Sequence, residues 1–169
     1  MEASQTLGAR ARAAAGSAGV AAWIVLALGV TGGVLLVVAE FSLIFQVDTL
    51  TSGTCEELRN AAVADTCRAK GLEQHSFALI LLGVFAIAMA LGAARGASVP
   101  AAVALVVVGL VVVGIALFID LPKTKADGLL EPFYEQGRAR AATGFYLELV
   151  GAGLCLAAGA IRIFALRRT

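Results

Sequence analysis

The chain has 169 residues, 60% hydrophobic and 15% charged, with a net charge of +1, and its mean hydropathy is +0.91. A water-soluble domain carries about 25% charged residues, so that class is excluded. No basic face or nucleic-acid motif is present, which gives nucleic acid no footing as a partner.

Residues 1–19 read as a polar, Ala/Gly-rich cytoplasmic tail carrying Arg10 and Arg12. A secretory signal is the competing reading. The apolar run that follows is too long for a signal core, and no small-x-small cleavage site follows a short one. Four runs then meet the requirement of about 20 apolar residues for a bilayer crossing: 20–47, 76–94, 99–121 and 142–166. The first is long enough to tilt or to project. Pro100 falls in the first turn of the third, where it is tolerated. The expectation is an all-α protein: one antiparallel four-transmembrane-helix bundle over 20–166. Two extracytoplasmic loops, 48–75 and 122–141, lie opposite a short turn, Arg95-Gly96-Ala97-Ser98.

An even helix count puts both termini on one side. The termini and the short turn carry Arg10, Arg12, Arg95, Arg162, Arg167 and Arg168 in short segments. The long loops spread Arg59, Arg68, Lys70, Lys123, Lys125, Arg138 and Arg140 over more chain. Density therefore favours cytoplasmic termini, in the plasma membrane. Cys55 and Cys67 share the first long loop, as suits a disulfide in an oxidising space. Thr54 and Glu57 form a capping-box pattern and predict a short helix near 56–62. An unbroken helix from Cys55 to Cys67 would hold their α-carbons roughly 18 Å apart, too far for a disulfide. A reversal near Asp65-Thr66 is therefore expected, and Gly71 is read as the end of a helical region. The C-x11-C spacing matches neither a metal site nor a thiol oxidoreductase.

Two glutamates lie inside the spans, although a carboxylate in hydrocarbon costs roughly 2.5 kcal/mol or more. Gly29, Gly33, Leu36 and Glu40 share one face of the first span, and Gly144, Glu148, Gly151, Cys155 and Gly159 one face of the fourth. Gly29 and Gly33 form a GxxxG pair suited to close helix approach. Counted from the expected outer ends, Glu40 and Glu148 fall at similar depth, roughly 9–10 Å down. Asp120 and His75 sit just above, at the rim, where polar groups are readily solvated. Glu40, Glu148, Asp120 and His75 are thus expected to converge on one outward-opening polar cluster, with Tyr146 and Gln46 adding hydrogen bonds. Two readings compete. As helix-to-helix glue, at least one glutamate is neutral, because desolvation favours the protonated acid. As a proton or cation site, both are functional. A metal site needs all four helix rotations to be right, and neither a metal nor a cofactor is predicted. Cys155 reads as a small packing residue.

The second loop holds Leu129, Leu130, Phe133 and Tyr134 among charges, residues suited to the membrane interface, to a partner, or to covering the bundle. The layout resembles that of claudin-like tetraspan proteins, with a larger first outer loop bearing two cysteines and Phe145-Tyr146 opening a Gly-rich fourth helix. It departs from them in its single tryptophan, Trp23, which lies in the first span rather than in a loop. The resemblance is one of arrangement, and no residue role follows from it. The expected function is non-enzymatic: an accessory subunit or self-assembling tetraspan protein in the lipid bilayer, part of a homo-oligomer or larger membrane complex. The alternative is a proton- or cation-coupled transporter or channel using Glu40 and Glu148.

Overall fold

A computed structural model describes the backbone of residues 2–49, 68–96, 98–125, 127–130 and 135–167. Side chains are described over 19–47, 70–96, 98–125 and 139–167. The chain runs α1 (Glu2–Phe41), β1 (Leu43–Thr49), β2 (Arg68–Lys70), α2 (Gly71–His75), α3 (Ala78–Arg95) and α4 (Val99–Ile115). A π-helical turn (Ala116–Asp120) leads into α5 (Leu121–Thr124), followed by β3 (Asp127–Leu130), β4 (Glu135–Ala141) and α6 (Thr143–Leu166). Four segments are long and apolar enough to cross a membrane: Gly19–Phe41, Ala78–Arg95, Val99–Thr124 and Thr143–Leu166. They pack as a bundle in which α1 touches α3 and α6, and α4 touches the same two helices on the other side. Class and bundle are as read from the sequence, and the apolar spans make this an integral membrane protein.

Each span buries a stripe and turns the rest outward. Val25, Leu36, Leu79, Ala86, Ala90, Leu105, Val112, Ala152 and Ala158 form the core. Trp23, Leu81, Leu110 and Phe118 point outward with more than half their surface free. This is the arrangement expected where the surroundings are themselves apolar. Ser98 caps α4, its Oγ accepting from the Ala101 N–H at 3.4 Å.

Three boundaries differ from the sequence reading, and the tail 1–19 is helical, since α1 runs from Glu2. Its alanine-rich sequence without proline has high helix propensity. The first span ends at Phe41 rather than near 47, where Ser42 N–H donates to Ala39 O and Ser42 Oγ to Val38 O. Leu43–Thr49 continues as a strand, since its apolar, β-branched and aromatic residues fit a pleated surface. The third span reaches Thr124 through a π turn. Pro122 has no N–H and clashes with the carbonyl four residues back, and the widened turn relieves that clash. Gly71 starts α2 instead of ending a helix. A Cβ there would lie 2.6 Å from Glu40 Cα, so only glycine lets this turn rest on the end of α1.

The regions expected as plain loops contribute a sheet of order β2-β1-β4-β3, antiparallel throughout. The central pair joins β1 to β4 from Phe45↔Ala141 to Thr49↔Gly137. This register sets Asp48 and Asp127 opposite Arg138. Ile44 anchors the sheet to the bundle by packing with Ala116 and Phe145. The expected helix at 56–62, the Asp65-Thr66 reversal, the Cys55–Cys67 pair, Phe133 and Tyr134 lie outside the described residues.

Candidate functional site

Four polar side chains meet where the bundle joins the sheet. Glu40, Asp120 and Glu148 are each 0% exposed, and the His75 side chain is 4% exposed. His75 and Asp120 are therefore not solvated rim groups, as the sequence reading held. The sheet and α2 extend the protein beyond the helix ends and cover them.

Glu40 has a defined task. Its Oε1 accepts from the Phe77 N–H at 2.8 Å and its Oε2 from the Leu79 N–H at 3.3 Å. These donors belong to the first turn of α3, which no side chain of its own caps. Ser76 (φ 49°) and Phe77 (φ 73°) both take left-handed backbone, which costs an L-residue roughly 1–2 kcal/mol. The bend aims two N–H groups at one carboxylate, and the positive end of the helix dipole favours the negative charge. Glu40 is thus a helix cap supplied by a neighbouring helix. It also sits one residue before the end of α1, not roughly 10 Å below it.

The other three groups face one another. One donor atom from each of His75, Asp120 and Glu148 lies within 4.8 Å of the others. His75 Nε2 stands 3.2 Å from Asp120 Oδ2, within ion-pair range but off the direction of a hydrogen bond. Both oxygens of Asp120, both of Glu148 and His75 Nε2 are buried without a hydrogen-bond partner among the described residues. Buried polar atoms are nearly always satisfied, so five orphans in one place call for an account. The donors come from α2, the π turn and α6. The π turn carries Asp120 at its last position, and such turns recur at functional sites. Two acids and an imidazole suit a proton or a cation. Gln46 and Tyr146 do not join them. They line an outward groove of 1070 Å³, where the Gln46 amide oxygen, turned toward Arg140, accepts from its Nη2 at 2.8 Å.

The five glycines singled out from sequence all stand at close contacts, four of them against a backbone carbonyl and Gly29 against the Ala90 side chain. A Cβ would meet Ala90 Cβ at 2.5 Å from Gly29, Gly83 O at 2.6 Å from Gly33 and Leu43 O at 2.7 Å from Gly144. It would meet Gly32 O at 2.9 Å from Gly151 and Ala102 O at 2.6 Å from Gly159. Cys155 is a buried free thiol, packed beside Gly32. The sequence reading missed Gly32 and Gly83, the opposite halves of two of these contacts. It also counted Arg162 as a surface charge. The side chain is buried, and its Nε has no hydrogen-bond partner among the described residues. Its position three residues beyond Gly159, on the glycine stripe of α6, was the available signal.

No protein-family model matches this chain, and neither does any curated protein or solved structure. The functional reading therefore stands on the chain's own residues.

Proposed function

We propose that the protein acts by association, as an accessory subunit or self-assembling tetraspan protein, and not by catalysis. The observation that carries this reading is the sheet. Both long connections contribute to one four-stranded platform fixed to the bundle, with β2 and β3 as its outer strands. Among the described residues each outer strand pairs on one side only. Such strands carry main-chain donors and acceptors that an added strand takes up. The glycine contacts support the same reading, since seams closed at backbone distance suit a rigid scaffold. A proton- or cation-coupled transporter using Glu40 and Glu148 is less well supported, because Glu40 is engaged by the Phe77 and Leu79 N–H groups.

Cross-linking in native membranes, followed by native mass spectrometry after detergent release, tests the proposal. Discrete species larger than one chain are expected. A chain that stays monomeric in both measurements overturns it. Glu148→Gln protein in proteoliposomes should pass protons no differently from wild type, and loss of a pH-dependent flux in that variant would favour transport.

The plasma membrane is the proposed location, with the termini cytoplasmic and the sheet outside, on the density of arginine near the termini and short turn. Cysteines placed at Gln5 and Lys125 should label from opposite sides of intact cells. Labelling from the same side refutes this orientation. On the outer side Cys55 and Cys67 are proposed to form a structural disulfide. Intact mass after alkylation without reductant should then show both thiols protected, whereas two alkylated loop thiols refute the bond.

A further inference from the structure

We infer that His75, Asp120 and Glu148 form a binding site for a divalent transition-metal ion of the zinc type, held beneath the sheet. This goes beyond association, which requires no ion. The first argument is geometric. Ligand atoms around tetrahedral zinc, bonded at about 2.0–2.1 Å, stand about 3.3 Å apart. The His75–Asp120 edge measures 3.2 Å, and all three donors lie within 4.8 Å of one another. Closing that spread requires only side-chain adjustment.

The second argument is electrostatic. Asp120 and Glu148 are both 0% exposed, and among the described residues no N–H or hydroxyl donates to either, while the two carboxyls lie within reach of each other. Two ionised carboxylates in a dry interior are costly unless a cation balances them. One divalent ion balances both, takes His75 as a neutral ligand and satisfies an orphan atom on each side chain. Glu40, the remaining carboxylate at this level, is held by α3 and is not needed. The donor set also narrows the choice of ion. Oxygen ligands alone would favour magnesium or calcium, whereas an imidazole shifts preference toward zinc and its first-row neighbours. Three protein ligands leave a fourth position for water or a partner's side chain.

The chain has 1 histidine, so any imidazole bound to metal identifies His75, provided the affinity tag contains none. Purified protein in nanodiscs is stripped with chelator, equilibrated with Zn2+ or Co2+, and desalted. Elemental analysis is expected to find roughly one ion per chain, the stoichiometry of one three-ligand site. X-ray absorption of the Co2+ form is expected to show one imidazole in a shell of nitrogen and oxygen. His75→Gln, Asp120→Asn and Glu148→Gln should each weaken retention more than about 10-fold, since loss of even an outer-shell partner costs about that much. Size-exclusion and helicity measurements verify that the variants are folded. Because the absorption measurement uses wild-type protein, it stands even if a variant fails to fold. Retention no higher than in empty nanodiscs, retention equal in all folded variants, or a cobalt shell without imidazole each overturns the site. The first of these outcomes leaves protons as what neutralises the cluster.

Discussion

Gly83→Leu in α3 is expected to destabilise the bundle by about 3 kcal/mol, the upper end for overpacking a tight interior. Gly33 and Gly83 face each other across the α1–α3 seam, and a Cβ on either meets the other's carbonyl oxygen at 2.6 Å. That oxygen is backbone and does not swing aside, so the helices have to separate and give up the contacts along their length. Gly83→Ala should cost less, because a methyl asks for a smaller shift. Gly153→Leu is the control. It adds the same side chain to α6, where a Cβ has nothing within 4 Å. Thermal unfolding of the three variants in one detergent ranks them. A Gly83→Leu protein that melts with the Gly153→Leu control would show that the seam is not closed at backbone distance.

Glu40→Ala is expected to cost about 2–4 kcal/mol, because one buried and one part-buried N–H group lose a charged acceptor. The cost is local before it is global. Without the carboxylate nothing offsets the left-handed backbone at Ser76 and Phe77, and the first turn of α3 should fray. Glu40→Gln keeps one oxygen for one N–H and should lose about half as much, the charge-assisted part of the interaction. Thermal unfolding gives the size of the loss, and amide exchange at residues 77–80 locates it. If amide exchange there is unchanged in Glu40→Ala, the carboxylate does not cap α3.

The four spans were legible because hydropathy and length suffice for a membrane helix. The stripes were legible too, since spacings of three and four residues put Gly29, Gly33 and Glu40 on one side whatever they touch. Where α1 stops was not. Leu43 to Val47 is apolar but for Gln46 and continues the run, and periodicity alone does not separate a buried strand from a helix there. The sheet left still less trace, because β1 pairs with β4 across roughly ninety residues of chain, and Arg68–Lys70 has no strand character of its own. Within the polar cluster, helix face brought Glu40, Asp120, Glu148 and His75 to one end of the bundle, but the depths read for them and their division of labour were not legible. That division depends on Phe77 adopting φ 73° and aiming its N–H at Glu40, which a phenylalanine does not advertise. The π turn had one sign, Pro122, and its consequence is the position of Asp120.

One topological fact reaches into biosynthesis. α1 passes into β1 through Ser42 alone and β4 into α6 through Ala142 alone, and these first and last pieces of the chain pack on each other in both layers. A ribosome that has released three spans has therefore made a protein that cannot close. Gly32 lacks the Gly151 backbone it rests on, β1 has no β4, and Asp120 and His75 have no Glu148. Contacts of such long sequence separation form late. The nascent chain has to keep these surfaces unmatched in the bilayer until α6 has been made, so chains stopped before residue 143 should be substrates for membrane quality control rather than smaller working versions of the protein.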